Sequence, residues 1–169
     1  MERCSGFKIQ KAPVTEHTLE ERVELHRRLL KSDDVTLFTQ GGCHVFALAL
    51  HERFNYPVHY IPGTAGKGVS HIYCRFAGPS PYAVDVLGFT PEDDRIWKDF
   101  GSLCKNPPFI SLTQLRSFFK PLTSDDGMCG EEWFICPARQ RADRKIDEFI
   151  DIFSGSRKKR VQGLVRKLL

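Results

Sequence analysis

Gln40-Gly41-Gly42-Cys43-His44-Val45-Phe46-Ala47-Leu48-Ala49-Leu50 is the stretch whose reading organises the rest of the chain. A cysteine stands where a glycine pair ends and an almost wholly apolar run begins. At a helix start, unpaired backbone N–H groups and the macrodipole favour a thiolate over a thiol. A helix apolar on nearly every side is a buried one. The run from Cys43 to Glu52 therefore predicts a core helix with a nucleophilic sulfur at its head, stopped by Asn55 and Pro57.

Downstream, three segments predict strands: Val58 to Ile61, His71 to Phe76, and Tyr82 to Leu87. Gly and Pro clusters separate them, which suits an antiparallel meander. Alternation puts Ile72, Cys74 and Phe76 on one face and His71, Tyr73 and Arg75 on the other, read as a potentially solvent-facing side. Upstream, a loose entry segment over 1–15 leads to a predicted helix from Leu19 to Lys31. Thr18 and Glu21 have capping-box spacing there, and Leu19, Val23, Leu29 and Leu30 form an apolar stripe. Val35 to Phe38 reads as a short strand or extended lead-in. Further on come a short helix within Pro91 to Phe100, a capped helix from Ser111 to Lys120, and an amphipathic helix from Ala138 to Phe153. The expected fold class is α+β.

The 169 residues suffice for one sizeable core and one domain, and the 41% hydrophobic and 27% charged fractions are those of an ordinary globular chain. The net charge of +4 is too mild to be a nucleic-acid signature. Trp97, Trp133 and Phe134 read as core and groove walls, and no specific nucleic-acid partner is expected. The six cysteines, at 4, 43, 74, 104, 129 and 136, contain no C-x-x-C pair, and no cluster has metal-ligand spacing, so no metal is expected. Met1 to Ser5 opens no apolar signal region and no run is long enough to span a bilayer. The expectation is a reducing, cytoplasmic setting with free thiols, although secretion by another route would leave no such mark. Gly63 to Gly68 lacks P-loop spacing and reads as a hairpin loop.

Acyl transfer at a thiol needs a thiolate, a base that shuttles its proton to the leaving group, and a group that orients the base. Cys43 supplies the sulfur. His71, near the start of a strand, is the best base. Asp85, on the next strand, can accept from the imidazole and fix its tautomer. Neighbouring strands lie only about 4.8 Å apart, so residues at matched heights can touch. The oxyanion would meet the Cys43 backbone N–H and a second donor, for which Gln40 is the nearest side chain. His44 adjoins the nucleophile and reads as a flanking or packing residue with a lesser claim to contact substrate. His51 and His59 read as structural. Such chemistry requires no cofactor.

Gly42-Cys43-x-x-Phe46-Ala47, Tyr56 to Gly63, Ser70-His71-Ile72 and Val84-Asp85 together resemble the core of the transglutaminase-like proteins, within the papain-like cysteine hydrolase superfamily. The resemblance covers about residues 38 to 90. It implies Cys43 as nucleophile, His71 as general base and Asp85 as orienter, on a helix packed against an antiparallel sheet. Ile72-Tyr73 stands where the family has an aromatic directly after the histidine, and Tyr82 is the nearest aromatic before Asp85, so the substrate-facing walls differ. The implied activity is a cysteine-dependent hydrolase, a protease or amidase, acting on a protein or peptide through a thioester. Protein-glutamine deamidation or transglutamination, and a non-catalytic papain-like binding module, remain alternatives. On this reading 1–153 form the papain-like thiol enzyme domain. Residues 154–169, with Arg157 to Arg160 beside Val161, Leu164, Val165, Leu168 and Leu169, form a basic amphipathic tail suited to an anionic membrane surface.

Overall fold

A computed structural model describes residues 18–63, 69–77, 81–92, 108–123 and 128–155. Thr18 and Glu21 close a reciprocal capping box at the head of α1 (Leu19–Lys31), and Ser32 caps its end. Val35 to Phe38 is neither strand nor extended lead-in, because Asp34–Gln40 form a helix, α2. Val35, Thr36 and Thr39 favour strands locally. Asp33 overrides them, its carboxylate accepting from the Thr36 N–H at 2.8 Å and the Thr36 hydroxyl at 2.7 Å. Burial of Leu37 and Phe38 then holds the helix in place.

The apolar run forms α3 (Cys43–Phe54), stopped by Asn55 in the left-handed conformation. Val45, Phe46, Ala47, Ala49 and Leu50 are each almost wholly buried. The helix packs against a five-stranded sheet of order β4-β3-β2-β1-β5 in which every neighbouring pair is antiparallel. The strands are β1 (Val58–Pro62), β2 (Val69–Phe76), β3 (Tyr82–Asp85), β4 (Gly88–Pro91) and β5 (Phe109–Ile110). The architecture is thus a mixture of helices and antiparallel sheet, of the α+β class.

The expected strand to Leu87 stops at Asp85. Val86 and Leu87 turn the chain, and Gly88, at φ +94°, starts a return strand that sequence reasoning did not foresee. On one face, Ile72 and Cys74 join the main core, and the Cys74 thiol donates to the Ala47 carbonyl at 3.3 Å. The opposite face is not open to solvent at this point. Ile61, Tyr73 and Ala83 form a second buried cluster there, and His71, expected on an exposed side, is only 2% exposed.

Beyond the sheet, α4 (Leu112–Phe118) starts at the Ser111–Gln114 capping box. It stops short of Lys120 because β6 (Phe119–Lys120) pairs in parallel with β7 (Met128–Cys129). The last long helix, α5 (Glu132–Glu148), begins well before Ala138 and runs through Pro137. It breaks at Phe149 before the short α6 (Ile150–Phe153). Arg141 on α5 reaches back across the fold. It donates to Asp34 at 2.7 Å, to the Leu30 carbonyl at 2.9 Å and to the Ser32 carbonyl at 2.8 Å, fastening the α1–α2 corner. Most of the helix expected over Pro91 to Phe100, the loop over 64–68 and the tail from 156 onward lie outside the described residues. Among those described, no helix is long and apolar enough to cross a membrane.

Candidate active site

Gly42 joins α2 to α3 without slack. Its N–H donates to the Leu37 carbonyl at 2.8 Å, and a Cβ there would lie 3.1 Å from that same oxygen and from Phe38 Cδ1. A side chain at 42 would require these neighbours to give by a few tenths of an ångström, which favours a glycine before the cysteine. No side chain caps the first turn of α3. Cys43 therefore begins the helix in the field of uncapped N–H groups, only 6% exposed.

The sheet delivers the two other predicted residues. The Nε2–H of His71 on β2 donates to Asp85 Oδ2 at 3.0 Å, and both side chains are buried. The second Asp85 oxygen accepts the Leu87 N–H at 2.9 Å, so the β3–β4 turn itself fixes the carboxylate. The parallel ring of Tyr73, 6.4 Å away, lies against His71. Besides its bond to Asp85, His71 interacts with the Cys43 thiol. The structure thus brings Cys43, His71 and Asp85 into one chain of contacts.

The electrostatics follow from this arrangement. Burial pushes the Cys43 thiol up, but the hydrogen bonds and positive charge of His44 and His71 outweigh it and bring the thiol down to about 5. Burial pushes His71 down, and its bonds to Asp85 and to the sulfur outweigh that and raise it to about 10. Near neutral pH the pair is thiolate and imidazolium, the ionisation state that nucleophilic attack and leaving-group protonation both require. Cys74 and Cys129 contrast with it: burial raises both thiols and keeps them protonated.

Cys43 opens onto a cleft of about 200 Å³ whose lining includes Arg22, Gln40, Ser70, Met128 and Cys129. Gln40, the exposed last residue of α2, therefore shares the cleft with the sulfur. His44 does not. It is fully buried, and its Nε2–H donates to the Cys129 carbonyl at 3.1 Å, so it sits beneath Cys43 rather than in the cleft. His51 hydrogen-bonds the Tyr56 carbonyl and His59 packs against Tyr73 and Phe109. Sequence reasoning missed Arg22 and His26, which line the cleft from α1. Their spacing of one helical turn, on one face of the predicted helix over Leu19–Lys31, was the available signal. Burial lowers the His26 pKa, and its Nδ1–H donates to the Arg22 carbonyl at 2.8 Å. Among the described residues no group of His, Cys, Asp and Glu is placed to hold a metal ion.

No protein-family model matches this chain, and neither the curated proteins nor the solved structures contain a significant match to it.

Proposed function

We propose that this chain is a cysteine-dependent hydrolase or acyl transferase with a papain-like, transglutaminase-like core, acting on an amide of a protein or peptide. The observation that carries the reading is the buried chain of contacts from the Cys43 thiol through His71 to Asp85. The order of its parts also supports it: nucleophile at a helix start, base on a strand, orienter on the adjacent strand. In this mechanism the Cys43 thiolate attacks the carbonyl carbon. The oxyanion is met by the Cys43 backbone N–H and the Gln40 side chain. The His71 imidazolium passes its proton to the departing amine as the C–N bond breaks, leaving a thioester and a neutral imidazole. His71 then takes a proton from water or from an acceptor amine, which attacks the thioester and frees the sulfur. Asp85 holds the ring in place throughout without itself gaining the proton.

The test is incubation of the native protein and a Cys43→Ala variant with a cell lysate, read by mass spectrometry. New termini that require Cys43 indicate hydrolysis. A one-dalton gain at glutamine indicates deamidation, and cross-links indicate transfer. Capture of a partner by both forms with no chemical change would sink the enzymatic reading and leave a binding module.

A further inference from the structure

His44 is a buried titratable group that the mechanism above does not use. The ring is fully buried, edge-on to Phe119 at 4.8 Å between centroids and nearly parallel to Phe134 at 6.3 Å. A carbonyl oxygen can only accept, so the bond to Cys129 requires a proton on His44 Nε2. In the neutral ring Nδ1 then carries a bare lone pair. Among the described residues no nitrogen or oxygen meets it with hydrogen-bonding geometry. Besides the Cys129 carbonyl, the thiol of the preceding residue, Cys43, interacts with the ring. Buried polar atoms without a partner are rare in folded proteins, and this one adjoins the reactive sulfur.

We infer that His44 is a positioning residue for the nucleophile: anchored to the Cys129 carbonyl through Nε2–H, it presents Nδ1 to the Cys43 sulfur as a second imidazole. This rests on the reading of Cys43 as the nucleophile. His71 approaches the sulfur from the sheet, and His44 holds it from within the helix. The thiol proton is shared with the bare Nδ1 when the sulfur is protonated. Moved onto Nδ1, that proton leaves a thiolate facing an imidazolium. The titratable and charged groups around the ring are Cys43 on α3, His71 on β2 beyond the sulfur, His26 on α1 and Cys129 on β7, with Arg22 and Glu131 behind them. The cradle of Phe119, Phe134 and the Cys129 carbonyl gives β6, β7 and α5 a direct part in setting the sulfur.

Two substitutions separate this role from packing. His44→Gln carries its amide donor to roughly the place of Nε2, keeps the Cys129 bond and offers nothing at Nδ1. His44→Asn places its side-chain amide near Nδ1, where the N–H can donate to the thiolate, and loses the Cys129 bond. The readout is the pH dependence of Cys43 alkylation by iodoacetamide in the full chain. His44→Gln should move the midpoint up by about one unit, so that labelling on the acid side slows about tenfold, while His44→Asn should stay closer to the parent. A folded His44→Gln protein with the parent profile overturns the inference. If His44→Gln does not fold, the imidazole ¹⁵N resonances of the native protein decide. The Nδ1 signal of His44 should shift on alkylation of Cys43, and an unmoved signal overturns the inference. A native Cys43 that labels no faster than an ordinary thiol overturns the functional reading itself. An activated Cys43 that is indifferent to His44→Gln overturns only the role of His44.

Discussion

Asp85→Asn isolates one charge in the centre of the site. Asparagine keeps the shape of the carboxylate and can still accept the Leu87 N–H, which Asp85 Oδ1 accepts at 2.9 Å. What it removes is the negative charge 3.0 Å from His71 Nε2. Asp85→Ala is the poorer probe, because stripping a buried imidazolium of its partner costs about 3–5 kcal/mol and confounds chemistry with folding. In the parent, burial works against the protonated His71 ring, and Asp85 and the Cys43 sulfur together overcome it to hold the pKa at about 10. With the charge gone, burial is opposed by the sulfur alone and the ring pKa falls. A less protonated ring stabilises the thiolate less, so Cys43 rises from about 5 toward its ordinary value. The two shifts converge, and the neutral thiol–imidazole pair gains population at neutral pH. Each unit by which the thiol rises slows labelling below its midpoint about tenfold. The assay is the rate of iodoacetamide labelling of Cys43 from about pH 4 to about pH 9, with circular dichroism to verify the fold. A folded Asp85→Asn protein whose midpoint does not rise would refute the argument that Asp85 acts through His71 on the sulfur.

Among the six cysteines, Cys43 should label first near pH 6, since Cys74 and Cys129 are raised by burial; faster labelling at Cys74 would remove Cys43 as nucleophile. Arg141→Met should lower stability by about 2 kcal/mol, because it strands the Leu30 and Ser32 carbonyls and the Asp34 carboxylate at the α1–α2 corner; urea unfolding measures this, and an unchanged midpoint would show the corner to be held otherwise. Phe46→Ala should cost about 3–5 kcal/mol, since its ring packs on Phe38 and Phe153; a loss under about 1 kcal/mol would contradict that packing. Ending the chain after Gly155, where an added Cβ would lie 3.5 Å from Phe76, should leave thermal unfolding and Cys43 reactivity intact while weakening salt-sensitive binding to anionic vesicles; loss of either would place the basic tail within the folded domain.

The sequence was most legible where local chemistry and tertiary packing agree. The Thr18–Glu21 box fixed the start of α1, and the unbroken apolar run of α3 announced both its helix and its burial. The meander followed from Gly and Pro punctuation. Errors arose where the two levels compete. Val35, Thr36 and Thr39 favour a strand, and only the Asp33 cap and the burial of Leu37 and Phe38 make α2 a helix. Pro137 masked the start of α5, because a proline inside a helix ordinarily marks its boundary. Gly88 looked like the end of a strand and is the start of another. In the candidate site, Cys43, His71, Asp85 and Gln40 could be named from residue type and position. The place of His44 could not, since its partner, the Cys129 carbonyl, lies 85 residues away. The Arg141 clamp was hidden for the same reason.

That clamp also bears on when the sulfur becomes dangerous to its surroundings. The α1–α2 corner from which Cys43 hangs is tied to Arg141 by bonds spanning 107 to 111 residues, and Tyr56, just past α3, donates to the Phe153 carbonyl 97 residues on. Contacts of such separation must meet the loop-closure entropy between them before they can stabilise the fold. A chain emerging from the ribosome would have its cysteine, histidine and aspartate synthesised long before the α5 segment existed to seat them. Until then the thiol keeps the sluggish reactivity of any unfolded cysteine. On the proposed reading of Cys43 as nucleophile, assembly of the fold would act as a timing device, activating the thiol only once the last helices have docked.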